Sequence, residues 1–156
     1  MNPKSILNGA LAGLIGGAAF GVMMGAMGML PMIGKMVGQP NAAAGFAVHL
    51  MISAVIGATF GFVLRQIRPS VAAGFLAGLV YGAAWWVLGP LTLMPLMMGM
   101  GLGVNWNAAA AAAMLPSLFG HLMYGALLGV SFSWLTRRAP DSELAPEAGV
   151  NPARTH

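Results

Sequence analysis

The chain has no cysteine and almost no acid. Its 156 residues include only three Asp and Glu. All three (Asp141, Glu143 and Glu147) lie in the last sixteen residues, so residues 1–138 carry no carboxylate side chain. Without cysteine there are no disulfides, thiol nucleophiles or thiolate metal sites. Without carboxylates, proton or sodium coupling through Asp or Glu, paired-acid hydrolysis and hard-cation cages lose their essential group. Charge of either sign is scarce: 6% of residues are charged, against roughly 25% in a soluble domain. No catalytic constellation is visible either. The serines have no acid beside them to complete a triad, and no glycine run ends in the Lys-Ser/Thr pair of a phosphate loop. The chain is expected not to be an enzyme.

What the sequence has is apolar length, with 58% hydrophobic residues. Four spans stand out, about 6–30, 43–64, 71–93 and 109–135, and each reaches the roughly 20 residues needed to cross a bilayer core of about 30 Å. In lipid such spans must be helices, because an open strand edge would leave backbone groups without partners. The first span, with five regularly spaced glycines, exceeds the roughly 7–15 apolar residues of a secretory signal, so it reads as a retained helix. Lys4, Arg65, Arg68, Arg137, Arg138 and Arg154 fall on one side of the spans and Lys35 alone on the other. Cytoplasmic loops accumulate Lys and Arg, which predicts an N-in/C-in topology in a bacterial or archaeal cytoplasmic membrane. The scattered basic residues argue against a nucleic-acid partner despite a pI near 10.4. The segment 139–156 is expected to be a disordered cytoplasmic tail.

The spans repeat. HLMISAVIGATFGFVLR from His49 aligns with HLMYGALLGVSFSWLTR from His121, and GALAGLIGGAA from Gly9 with GFLAGLVYGAA from Gly74. The expected fold is an all-α membrane protein, a four-helix transmembrane bundle of two tandem helical-hairpin repeats (about 5–68 and 69–138). Such parallel repeats are related by an axis along the membrane normal. Small residues recur every fourth position at Gly9, Gly13, Gly17, Gly21 and Gly25, at Gly74, Gly78 and Gly82, at Ser53, Gly57 and Gly61, and at Gly125, Gly129 and Ser133. This spacing lets helix backbones approach closely.

His49 and His121 occupy equivalent repeat positions, each sixteen residues before an arginine, hence about 24 Å from the cytoplasmic boundary. Small residues flank both at four positions: Gly45 and Ser53 around His49, Ser117 and Gly125 around His121. Two neutral imidazoles at matched depth suit the axial positions of a b-type haem, and the same pattern suits a related tetrapyrrole held by one histidine at a time. Trp85 and Trp86 could wall such a pocket, with Tyr81 and Phe20 near the same level, or simply belong to the interfacial aromatic belt. The plain alternative is that each histidine hydrogen-bonds a neighbouring helix. A third reading uses the fourteen methionines. Many cluster toward the outer face, where thioethers and imidazole could handle copper, although methionine is also a flexible apolar filler.

The stretches MLPMIGKMVG with GFAVHLMISAVIGATFG, and YGAAWWVLGPLTLMPL with GHLMYGALLG, resemble an uncharacterised family of small four-transmembrane-helix proteins of bacteria and archaea. The likeness covers about residues 9–133 and implies a fold without an activity. Function is therefore expected from the residues: a haem-binding electron carrier or accessory subunit of a respiratory complex, a copper-handling protein, or a purely structural subunit. The expected partners are the lipid bilayer and other subunits of a complex or further copies of the chain.

Overall fold

A proline at position 3 can open a helix because the first turn needs no N–H from it. In the computed structural model, which describes residues 3–138, helix α1 runs from that residue (Pro3–Ala26). It stops at Gly28, whose left-handed φ of 68° lets Gly28 N–H reach the Gly25 carbonyl and Met29 N–H the Met24 carbonyl. This arrangement ends a helix without orphaned carbonyls. A short helix α2 (Leu30–Gly34) and one 3₁₀ turn (Lys35–Val37) then fold back toward the start of α3 (Ala42–Val63). Asn41 caps α3, its side-chain oxygen accepting from Ala44 N–H at 2.9 Å. Ser70 caps α4 (Val71–Leu88) in the same way at 3.1 Å.

The third apolar span ends at about 93, but the helix continues past it. After α4 the chain widens into a π-helical segment (Gly89–Leu93) and runs on as α5 (Met94–Met97). Pro90 has no N–H, and its ring would collide with the carbonyl four residues back. The wider turn removes that clash. The Met94 N–H reaches the Gly89 carbonyl five residues back, and the Thr92 hydroxyl donates to the Val87 carbonyl at 2.7 Å. The fourth span differs in the opposite sense. It is interrupted at Met114, between α6 (Ala108–Ala113) and α7 (Leu115–Arg138), because Pro116 cannot continue the hydrogen-bond ladder. Among the described residues, four helices remain long and apolar enough to cross a membrane: Pro3–Ala26, Ala42–Val63, Val71–Met97 and Leu115–Arg137. The tail expected to be disordered lies outside the described residues.

The four long helices stand in the order α3, α1, α7, α4, with α1 packed on α3, α4 on α7, and α1 on α7 across the middle. Backbone meets backbone in the two outer pairs. A Cβ added at Gly9 would overlap the Gly57 carbonyl and one at Gly57 the Gly9 carbonyl; Gly78 and Gly125 block each other reciprocally, as do Gly74 and Gly129. The central seam is filled by side chains instead, with Ala12, Leu128 and Phe132 fully buried. Near the basic end, the Phe60 ring of α3 sits 5.4 Å from Phe132 of α7 and 5.0 Å from Tyr81 of α4, so three helices converge on it.

The reciprocal glycine contacts predict that Gly78→Val lowers the thermal midpoint in detergent, overpacking costing about 1–3 kcal/mol. Gly25→Ala, whose added carbon would meet only the Leu30 side-chain tip at 3.3 Å, should change stability by less than about 1 kcal/mol. Equal midpoints for the two variants would contradict close backbone packing between α4 and α7.

Candidate functional site

Both histidines lie about two turns inside their helices, and each uses a ring nitrogen within the bundle. His49 is buried. Its Nε2–H donates to the Gly17 carbonyl of α1 at 3.0 Å, because a carbonyl can only accept. Gly21 makes room for it: a Cβ there would stand 3.1 Å from His49 Cδ2 and press on the Phe46 ring. His121 uses the other nitrogen and stays within its own helix, Nδ1–H donating to the Ser117 carbonyl at 2.8 Å. The Ser117 hydroxyl lies 3.4 Å from the same nitrogen. A neutral His121 then carries its lone pair on Nε2, which faces the start of the π-helical segment; a Cβ built on Gly89 would lie 3.8 Å away.

Between the two imidazoles stands Phe20 of α1. Its ring centroid lies 5.3 Å from that of His49 and 5.1 Å from that of His121, with both contacts edge-on. Gly120 of α7 accepts this ring; any Cβ at Gly120 would overlap it. A haem iron held by two histidines needs their ligating nitrogens opposed at about 2 Å from the metal on either side, with a porphyrin between. Here Phe20 packs against both rings, and His49 Nε2 and His121 Nδ1 are each bonded to a backbone carbonyl, which is not the arrangement a bis-histidine haem needs.

The flanking small residues are committed elsewhere. Gly45 receives the Leu30 carbonyl of α2, and Gly125 receives the Gly78 carbonyl of α4, so neither offers a flat surface to a macrocycle. The Ser53 hydroxyl turns back to the His49 carbonyl at 2.8 Å. Trp85 meets the edge of Tyr81 at 6.2 Å between centroids. Trp86 donates its indole N–H to the Met114 carbonyl at 3.1 Å, bracing the break between α6 and α7. The methionines divide: Met24 is buried, whereas Met27, Met32, Met36, Met97, Met98 and Met100 are exposed. Among the described residues, no group of three or more His, Cys, Asp or Glu side chains comes together to hold a metal.

Two residues that matter here carry no repeat signature. The chain's two tyrosines both belong to the second pair of long helices, and both donate to α3 carbonyls: Tyr124 to Ser53 at 2.8 Å and Tyr81 to Ile56 at 2.8 Å. Tyr124 also lies over Gly16 of α1, where a Cβ would crowd its ring and carbonyl. A phenol inside an apolar span needs an acceptor, which is the signal that could have singled them out. Among the described residues every deeply buried side-chain nitrogen and oxygen has a hydrogen-bond partner.

An all-helical chain with four membrane-length apolar helices and a hydrogen-bonded interior is a multi-pass membrane protein in contact with the lipid bilayer. No family model, curated protein or solved structure matches the chain.

Tyr124→Phe removes one donor and leaves the Ser53 carbonyl short of a partner. It is expected to cost about 0.6–1.7 kcal/mol, the range of hydrogen bonds between membrane helices, read as a shift in the unfolding midpoint in detergent. Phe20→Ala opens a void between two imidazoles and should cost more, about 3–5 kcal/mol. A Phe20→Ala variant as stable as the parent would mean that the wedge does not hold the seam.

Proposed function

We propose that this protein is a non-catalytic packing element of a bacterial or archaeal cytoplasmic membrane. In this reading it is a structural subunit of a larger membrane assembly, built from two tandem helical-hairpin repeats with both termini inside. The observation that carries the reading is the histidine pair. One imidazole is bonded across to α1, the other to its own helix, and Phe20 occupies the space between them. The first of these bonds fastens α3 to α1, and Phe20 joins α1 to the imidazoles of α3 and α7. The repeat is supported by matched partners. Gly9 and Gly74 meet Gly57 and Gly129, while Gly13 and Gly78 meet the carbonyls of Ser53 and Gly125, as the sequence alignment pairs them. The orientation is supported by Lys4, Arg65, Arg68 and Arg137 near the helix ends on one side, opposite Lys35.

A second reading has one observation in its favour. The lone pair on His121 Nε2 faces Gly89 and the widened helical turn, and π-helical turns often mark functional sites. A tetrapyrrole held by this one histidine would use that nitrogen.

An absorption spectrum of the tagged protein, purified in mild detergent with its metal content and cross-linked partners analysed, separates these readings. The packing reading expects no Soret band, no stoichiometric copper and a partner protein recovered in fixed ratio. A stoichiometric Soret band that disappears in His121→Ala but persists in His49→Ala would overturn it in favour of single-histidine ligation. Bound copper lost on replacing the exposed methionines would instead favour metal handling.

A further inference from the structure

The two outer helix pairs leave a seam between α3 and α4. These helices do not meet glycine to glycine, and the gap is bridged at Tyr81, whose hydroxyl contacts Thr59 and donates to the Ile56 carbonyl. Beside that bridge lies an apolar cavity of about 430 Å³. Phe60, Ala77 and Tyr81 form its inner wall, and Val63, Leu76 and Val80 its rims. The rims are 66%, 60% and 72% exposed, so the cavity opens sideways, into the space that lipid occupies around a spanning helix. From Leu76 to Ala84 it follows α4 for about 12 Å, within the roughly 15 Å hydrocarbon depth of one leaflet.

The loop that joins α3 to α4 closes the end of this groove and carries Arg65 and Arg68. The Arg65 guanidinium is held in place, donating to the Phe62 carbonyl at 2.8 Å and lying 4.3 Å over the Phe62 ring. Arg137 of α7 reaches the same loop, its Nε donating to the Pro69 carbonyl at 3.3 Å. Arg65 and Arg68 thus belong to the loop that follows the lining residues Val63 and Leu64, and Arg137 is bonded to that loop, in a stretch of 138 residues without a carboxylate. Positive charge at the headgroup level with carbon directly beneath matches one kind of molecule.

We propose that the α3–α4 groove binds an anionic diacyl phospholipid, one acyl chain lying along Ala77 and Val80 and the phosphate resting on Arg65 and Arg68 with Arg137 beside them. Positively charged segments next to a membrane attract anionic headgroups in general; the groove makes the site specific by fixing where the chain lies. This site is independent of the packing reading and requires only that the helices span a bilayer.

Native mass spectrometry of the full chain in neutral detergent tests the proposal, with dioleoyl phosphatidylglycerol and dioleoyl phosphatidylcholine as competing probes. One phosphatidylglycerol per chain is expected to be retained in preference to phosphatidylcholine. Arg65→Gln/Arg68→Gln should weaken retention at least tenfold, about fivefold for each charge. Ala77→Phe, which fills the slot without touching any charge, should abolish the single retained lipid while helix content is unchanged. Equal retention of both probes would overturn the proposal. So would an Ala77→Phe variant that keeps its phosphatidylglycerol, because the arginines would then be acting on surrounding lipid alone. If Ala77→Phe fails to fold, Val80→Ser decides: a polar rim should weaken retention with the arginines in place, and unchanged retention overturns the groove.

Discussion

The bundle depends on two places where helix backbones touch. In water, glycine-rich helices would gain little by meeting, but in lipid the exterior is already as apolar as leucine, and association must come from close van der Waals contact. Gly9 against Gly57, and Gly78 against Gly125, supply that contact with no side chain between. Once each pair is locked, α1 and α7 are left facing each other with room for full-sized side chains, and Leu128, Phe132 and Phe20 fill it. The division of labour is therefore physical. Small residues make the pairs, and large ones join the pairs.

Corresponding positions need not keep corresponding roles. His49 and His121 share neighbours in the sequence alignment, yet one donates from Nε2 to another helix and the other from Nδ1 to its own. The difference follows from what surrounds them. Gly21 of α1 lets the His49 ring approach, whereas Trp86, at the aligned position of α4, turns its indole to Met114. Ser53 and Gly125 also align, and only the serine has a hydroxyl to return to the histidine's carbonyl. The asymmetry extends to the tyrosines: both phenols reach from the second half into α3, and none reaches back.

Much of this fold is legible in composition and spacing. The beginnings of α3 and α4 fall within one residue of the hydrophobic boundaries at positions 43 and 71, because Asn41 and Ser70 both end the polar loop and cap the helix. Of the every-fourth-residue set, Gly9, Gly13, Gly57, Gly61, Gly74, Gly78, Gly82, Gly125 and Gly129 face a neighbouring backbone, whereas Gly17 and Gly21 face side chains and Gly25 meets only the Leu30 tip. What the pattern cannot carry is the identity of the partner across the interface. It shows that His49 and His121 share a depth, but the seating of Phe20 between them depends on Gly120, ninety-nine residues beyond Gly21 and without any partner in the repeat alignment. Proline is similarly ambiguous. Pro90 and Pro116 carry the same local prohibition, yet one is absorbed by a widened turn and the other opens a new helix. The surroundings differ: the Thr92 hydroxyl donates to the Val87 carbonyl beside the first break, and the Trp86 indole donates to the Met114 carbonyl at the second.

Among the described residues the deeply buried polar side-chain atoms are paired, the glycine faces are used in the outer pairs, and Phe20 packs against both imidazoles. What varies around the exterior is charge at one end, thioethers and an exposed Trp106 at the other, and a groove between α3 and α4. That groove exists because α3 is committed to α1 and α4 to α7. A tighter α3–α4 seam would require each to turn its small-residue face away from the partner it already has. The gap is thus a geometric consequence of pairing helices two by two, and it opens beside the loop that carries Arg65 and Arg68.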